Sequence, residues 1–326
     1  MKHHLVIEGF SYRLRPVAER DAAFIVQTRL EDESRNQFIH KISRDVSAQE
    51  KWLENYFTRE GDYYFVVENK FTRLPEGLIA VYDVKDGRAE WGRWVLQKGS
   101  LAAPESVDLA FRAAFEKLGL LELYSRTVQD NAGVVSFHDS VKQKRRGVLE
   151  NHFELNGCVY NAVEHFADKD YFYETVHPLL EKSAVRIFQR NLKQAAGAFE
   201  FHHIGVATAD MRRDLAAYRW LGYAPDGASF EDTRQGIKGL FLSAKGQPAL
   251  ELLQNLEGSH TLDYWLKNKI KLYHFAYTAA DIEKTLNAFL ALGAKVVSPL
   301  KESVYFGKRI CFLMLPNMFL FELIEK

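Results

Sequence analysis

The chain has 326 residues, enough for two domains of about 150 residues each, and is 47% hydrophobic and 26% charged, as in ordinary packed proteins. Lys+Arg and Asp+Glu each number 43, so no net field draws it to nucleic acid or an anionic membrane, and a general polyanion binder is excluded. No run approaches the ~18 apolar residues of a spanning helix, the start MKHHLVIEGFSYRLR lacks a signal-peptide apolar core, and Cys158 and Cys311 are too few for a disulfide framework. A reducing cytoplasm is the expected compartment.

Residues 11–30 predict a strand, with Tyr12 and Leu14 alternating with Arg13 and Arg15, and then a helix. Residues 63–68 (YYFVVE), 77–84 (GLIAVYDV) and 90–96 (EWGRWVL) have strand composition. The loop Gln97–Ala103 (QKGSLAA) follows. Next comes a helix with Pro104 suited to its first turn, apolar Val107, Ala110, Phe111, Ala114, Phe115 and Leu118 at helical spacing, and Gly119 at its end. A strand at 121–128 leads to Asp130-Asn131 and a second short helix. A strand that delivers a small-residue loop to a helix N-terminus builds an anion site, because free N–H groups and the helix dipole point outward together.

This order resembles the GNAT N-acetyltransferases over about residues 8–175. The family loop Gln/Arg-x-x-Gly-x-Gly/Ala, which grips the coenzyme A pyrophosphate, is matched here by Gln97 and Ala102, with Ser100 at the central Gly and Gly99 one place early. The resemblance implies acyl-CoA as cosubstrate, held by Gln97, Gly99, Ser100, Ala102 and Asn131, with backbone amides of Trp94, Val95, Leu96 and Gln97 along pantetheine and the thioester carbonyl. The family's thiolate-protonating Tyr falls seven residues after that Asn; here the place holds His138, and Lys142-Gln143 replace the usual Gly-Phe. An imidazolium of ordinary pKa near 6.5 can act as that acid, and a helix-packing His is the alternative. Glu90, on the strand before the loop, is the implied general base, with Asp83 the second candidate. An exposed strand carboxylate is the plainer reading of either.

By pattern the segment resembles the sugar-nucleotide N-acyltransferases of surface-polysaccharide pathways. Residues 35–43 (RNQFIHKIS), with Trp52 downstream, match their acceptor segment, which implies Arg35, Asn36 and His40 beside Asp83 in acceptor binding. Residues 151–161 (NHFELNGCVYN) match their closing strands, with Asn161 where Asp is usual. The implied partners are acyl-CoA and a nucleotide-linked amino-deoxy sugar such as a dTDP-3-amino-3,6-dideoxyhexose. The acyl group would be acetyl or 3-hydroxybutanoyl. The basic run at Lys142–Arg146 suits a CoA or nucleotide phosphate, or a plain solvated face.

Residues 176–199 read as an amphipathic connecting helix, and beyond it the chain repeats itself. HIGVATAD (203–210) returns as HFAYTAAD (274–281), each an apolar strand followed by an Asp suited to cap a helix. Both helices end in Leu-Gly, at Leu221-Gly222 and Leu292-Gly293. ALELLQ (249–254) returns as LFELIE (320–325), so His203 and Glu251 stand as far apart as His274 and Glu322. A Glu inside an apolar strand is costly unless paired or bound to a cation. Residues 200–326 thus resemble the vicinal oxygen chelate superfamily, most of all methylmalonyl-CoA epimerase and glyoxalase I. That resemblance implies two βαβββ modules and a divalent metal at His203, Glu251, His274 and Glu322, a donor set for Zn, Ni, Co or Mn; the alternative is a structural or substrate-binding set without metal.

The sequence therefore predicts an α+β chain. A GNAT domain (1–177) is followed by a linker helix (178–199) and a duplicated βαβββ domain (200–326). The reading is N-acyl transfer in the first domain, by direct attack of the amine and with no need of the metal. The second domain would complete the acceptor pocket or an oligomer interface. The alternatives are a metal-dependent epimerase or lyase in the second domain, a protein N-terminal acetyltransferase, and a CoA-sensing binding module.

Overall fold

In the computed structural model, which describes residues 2–32 and 36–326, the chain divides into two compact units, Met1–Asn191 and Leu192–Lys326. Among the described residues no helix is long and apolar enough to cross a membrane.

The first unit contains strands β1 (Ile7–Glu8) and β2 (Tyr12–Pro16), helices α1 (Ala22–Leu30) and α2 (Val46–Tyr56), and strands β3 (Tyr63–Asn69), β4 (Pro75–Lys85) and β5 (Arg88–Leu96). Helix α3 (Ala103–Arg112), strand β6 (Glu122–Val128), helix α4 (Ala132–Ser140), strands β7 (Lys144–Leu155) and β8 (Cys158–Asp168) and helix α5 (Lys169–Tyr171) follow. One sheet runs in the order β1-β2-β3-β4-β5-β6-β8-β7. Strand β3 reads as a nearly continuous apolar run because both its faces are covered. Phe65 and Val67 join Leu14, Ile79, Trp91 and Phe111 in one core, while Tyr64 and Val66 join Ile25, Leu53 and Leu78 in another.

All neighbours in this sheet are antiparallel except β5 and β6, whose parallel pairing covers only Arg88–Glu90 against Glu122–Tyr124. Beyond Glu90 the two strands part, so Trp91–Leu96 and Ser125–Val128 form the sides of a wedge. A bulge deepens it. Leu78 pairs with Val95 but Ala80 with Gly92, so Arg93 and Trp94 share one position, and Arg93 takes a left-handed φ of 46°. Arg93 is held there by Asp62 at 2.6 Å and by the Tyr82 ring at 4.6 Å.

Helix α6 (His177–Ala196) runs across the boundary at Asn191, and the second unit then repeats one module. The first copy holds β9 (Phe199–Ala207), α7 (Met211–Arg219), β10 (Ala224–Pro225), β11 (Phe230–Asp232), β12 (Ile237–Ser243) and β13 (Leu250–Asn255). After the short α8 (Asp263–Lys267) the second holds β14 (Leu272–Ala279), α9 (Ile282–Ala291), β15 (Lys295–Glu302), β16 (Arg309–Met314) and β17 (Leu320–Glu325). The predicted caps form: the Asp210 carboxylate accepts from Arg212 and Arg213, and that of Asp281 from Lys284.

The sheet order β10-β12-β13-β9-β14-β17-β16-β15 is a mirror about the β9–β14 joint. In each copy the last strand lies parallel to the first. Strand periodicity then sorts the side chains. Leu250 and Leu252 pack with Met211 on one face, and Phe321 and Leu323 with Ile282, which turns Glu251 and Glu322 to the opposite face.

Candidate functional site

The residues singled out by sequence gather at two clefts in the first unit and at one centre in the second. In the first, Trp94, Val95 and Leu96 of β5 line a cleft of about 310 Å³ with Asn131 at the start of α4, Asn36 and Phe38. Asn131 caps α4 without a side-chain bond of its own, and Asn36 donates its amide to the carbonyls of Thr28 and Arg29. His40 is exposed, its carbonyl accepting from Arg29. Arg35 lies outside the described residues.

The loop residues Gln97, Gly99 and Ser100 open instead onto a neighbouring cleft of about 480 Å³ with Phe24, Gln27 and Glu76. Several of the loop's N–H groups are already engaged: Gln97 donates to the Glu76 carbonyl, Lys98 to the Glu31 carboxylate, Ser100 to the Gln97 carbonyl and Ala102 to the Ser100 hydroxyl. Ser100, where the pattern expected Gly, spends its own hydroxyl proton on Glu76 at 2.7 Å. Ala102 is buried and caps α3 with no side-chain bond, so the first turn of that helix keeps free donors.

Glu90 stands at the apex of the wedge, the last β5 residue paired to β6. It is 8% exposed, accepts the Tyr82 hydroxyl at 3.0 Å and meets the Arg126 guanidinium at 3.2 Å. Burial raises its carboxyl above the ordinary value, against the opposing pull of Tyr82 and Arg126. Gly92 is fixed by the same cluster, since a Cβ there would lie 2.7 Å from the Tyr82 hydroxyl oxygen. Asp83 is exposed toward the turn end of β4, on a left-handed backbone, and its charge adds to the rise of the Glu90 carboxyl.

His138 is a core residue. It is 1% exposed, packed edge-on to Trp91 and 5.0 Å from the ring of His165, and burial lowers its pKa to about 3. An imidazole with so low a pKa is neutral at neutral pH, which favours the packing alternative over an imidazolium acid. Three of the four basic residues of the run are also paired. Lys144 pairs with Asp168, Arg145 with Asp139, and Arg146 with Glu122 and Glu164.

In the second unit the four repeated residues converge. His203 Nε2 lies 3.0 Å from Glu251 Oε2 and 3.0 Å from His274 Nε2, and His274 Nε2 lies 3.1 Å from Glu322 Oε2. The crossed pairs are 3.6 Å and 3.7 Å, and one ligand atom from each residue lies within 4.8 Å of all the others. A tetrahedral ion with bonds of 2.0–2.2 Å would space its donors by about 3.3–3.6 Å. All four side chains are buried, and Glu322 Oε2 and His274 Nδ1 have no hydrogen-bond partner. Two imidazole nitrogens and two carboxylates aimed at one point offer too few protons to satisfy one another, and the set fits a divalent cation.

Charge within the cluster is mutually adjusted. Burial disfavours an ionised Glu251, yet His203 and His274 beside it hold its carboxyl below the ordinary value. Burial likewise opposes a charged His203, but Glu251 and Glu322 raise its pKa overall. The adjoining cavity is only about 20 Å³, room for about one water, and is walled by Phe230, Tyr305, Phe306 and Phe312. Tyr305 stacks on Phe230 at 4.1 Å and on Phe241 at 5.0 Å. The sequence reading missed this aromatic cover, of which Tyr305 and Phe306 lie in the β15–β16 turn and have no aromatic counterpart in the first copy. It also missed Gly205, where a Cβ would sit 2.3 Å from the His274 ring.

Both halves of the chain resemble known proteins. Residues 12–141 match the family described as Acetyltransferase (GNAT) domain, and residues 202–312 the Glyoxalase/Bleomycin resistance protein/Dioxygenase superfamily. No curated protein matches. Among solved structures the chain is similar to apo FdhC, a nucleotide-linked sugar GNAT (26% identity, 53% of this chain and 94% of that one, TM-score 0.45). It is also similar to a GCN5-related N-acetyltransferase from Brucella melitensis (17% identity, 57% and 86%, TM-score 0.49). The protein thus joins an N-terminal acetyltransferase domain of the GNAT family to a C-terminal domain of the glyoxalase/bleomycin resistance protein/dioxygenase superfamily.

Proposed function

We propose that the first unit moves an acyl group, acetyl or 3-hydroxybutanoyl, from acyl-CoA to the amine of a nucleotide-linked amino-deoxy sugar. The observation that carries the reading is the wedge between β5 and β6, with a buried carboxylate, Glu90, at its apex. Parted strands leave the β5 edge from Trp91 onward free of β6, so its backbone groups can meet the amide-rich pantetheine arm and the thioester carbonyl. An amine attacks a thioester only when neutral, and Glu90, with its pKa raised by burial, is suited to accept the ammonium proton. The sugar acceptor is supported by the sequence pattern of residues 35–43 and 151–161.

The test is thiol release from acetyl-CoA and 3-hydroxybutanoyl-CoA with amino-deoxy sugar nucleotides, for the wild type and Glu90→Gln. Because the base works only when ionised, the wild-type kcat should fall as pH drops through Glu90's raised pKa. The variant should lose about 10²-fold in kcat together with that acid limb. Equal kcat and equal pH profiles in the two proteins would remove Glu90 from the reaction. Turnover of a peptide N-terminus in preference to the sugar nucleotide would remove the acceptor class.

The geometry at His203, Glu251, His274 and Glu322 supports a second, separate property, binding of a divalent metal such as Zn, Ni, Co or Mn. When bound, such an ion supplies Lewis acidity. His203 and His274 would give Nε2 lone pairs, and Glu251 and Glu322 the compensating charge.

A further inference from the structure

The β9–β14 joint is irregular at two places that correspond in the two copies. Ala276 pairs with His203 but Tyr277 with Phe201, so His202 is an extra residue in β9. His274 pairs with Gly205 but Leu272 with Val206, so Tyr273 is an extra residue in β14. Consecutive strand residues normally point to opposite faces, and a bulge re-aims one of them. At His202 the result is that its Nδ1 lies 2.7 Å from the Nδ1 of His203.

That contact decides which nitrogen of His203 carries a proton. His203 Nε2 faces Glu251, His274 and Glu322. For Nε2 to present a lone pair to a cation, Nδ1 must hold the hydrogen, and an N–H there needs an acceptor. His202 Nδ1 is that acceptor, with its own hydrogen on Nε2. The His202 ring is in turn held edge-on by Phe306 of the aromatic cover at 5.6 Å and by Phe241 at 6.2 Å. The second copy has no such device. Tyr273 packs against Trp265 at 4.7 Å, and His274 Nδ1 is left without a partner.

Resting on the metal reading above, we propose that His202 is the positioning residue of the centre: it fixes the tautomer and plane of His203 and so makes the first copy the stronger half of the metal site.

The test is a cobalt(II) titration of metal-free full-length protein, read by visible absorption and by competition with a chromophoric chelator, for the wild type, His202→Phe and His202→Asn. Phe keeps a ring against Phe306 and Phe241 but offers no acceptor; Asn offers a carbonyl acceptor but no ring. Affinity is expected to fall 10–100-fold in His202→Phe, with an altered cobalt spectrum, and to recover in His202→Asn. The reverse order would show a packing role only and would overturn the proposal, as would equal binding by all three. A wild type that takes up no cobalt would remove the metal reading and this inference with it. Melting curves of the metal-free proteins show that the variants are folded.

Discussion

The two sites are built from opposite materials. The cleft of the first unit is made where two strands part, and the groups proposed to act there are backbone amides, joined by one buried carboxylate. The centre of the second unit is made where two strands join, and its useful groups are four buried side chains under an aromatic cover. A site of backbone groups tolerates many side-chain changes, because the strand geometry survives them. A site of converging side chains fails when one is shortened or displaced.

The largest effect expected from this contrast is at the closed centre. Glu251→Ala with Glu322→Ala should eliminate the one metal ion per chain expected in the wild type, read by elemental analysis. An ion at about 100 times its dissociation constant adds about 2.7 kcal/mol to folding. Chelation should accordingly lower the wild-type melting temperature by roughly 10 °C, and leave that of the double variant unmoved. Acyl transfer should survive in both, since backbone donors need no metal to polarise a thioester. Loss of transfer on chelation, restored by added metal, would join the two sites into one mechanism.

A smaller effect is expected at Gly205→Ala. The new methyl would stand 2.3 Å from the His274 ring, which must tilt out of line. The expected cost is about 1–3 kcal/mol in a denaturant melt, with weaker cobalt binding. A neutral result would show that His274 has freedom that the closed packing does not suggest.

The smallest effect is expected beside the open cleft. His138→Phe puts an aromatic ring among Trp91, Phe137 and His165 and removes a buried Nδ1 that has no partner. Its stability should be unchanged or higher, and its kcat within about threefold of wild type. A drop of about 10² in kcat would return His138 to the acid's role.

What the sequence disclosed follows the same division. The repeat was legible because spacing is a one-dimensional property. The 48 residues from His203 to Glu251 recur in the second copy, 71 residues on, and Glu inside LEL or FEL announces a buried charge. The strand–loop–helix order of the first unit was legible from periodicity. Register was not. Whether β5 and β6 stay paired for three residues or eight depends on the whole sheet, and so does the extra residue at His202. The choice between acid and packing at His138 was not legible, because a family position fixes where a side chain attaches, whereas its pKa is set by burial against Trp91 and His165. The basic run was ambiguous for a related reason: Glu122, Glu164 and Asp168, which neutralise it, come from strands far away in sequence.

The register of the β9–β14 joint has one more property. His203 opposite Ala276 and Gly205 opposite His274 are the same pairing with the copies exchanged, and the two bulges exchange in the same way. An interface that maps onto itself under exchange is what a homodimer with a twofold axis possesses. A single module of this kind would close the same joint, and complete the same four-ligand set, against a second molecule of itself. Joining the copies in one chain removes the need for them to be identical. Gly205 can then make room for an imidazole while Ala276 does not, and His202 can serve its neighbour while Tyr273 only packs. The divergence between the halves is a freedom that covalent linkage allows a symmetric pair.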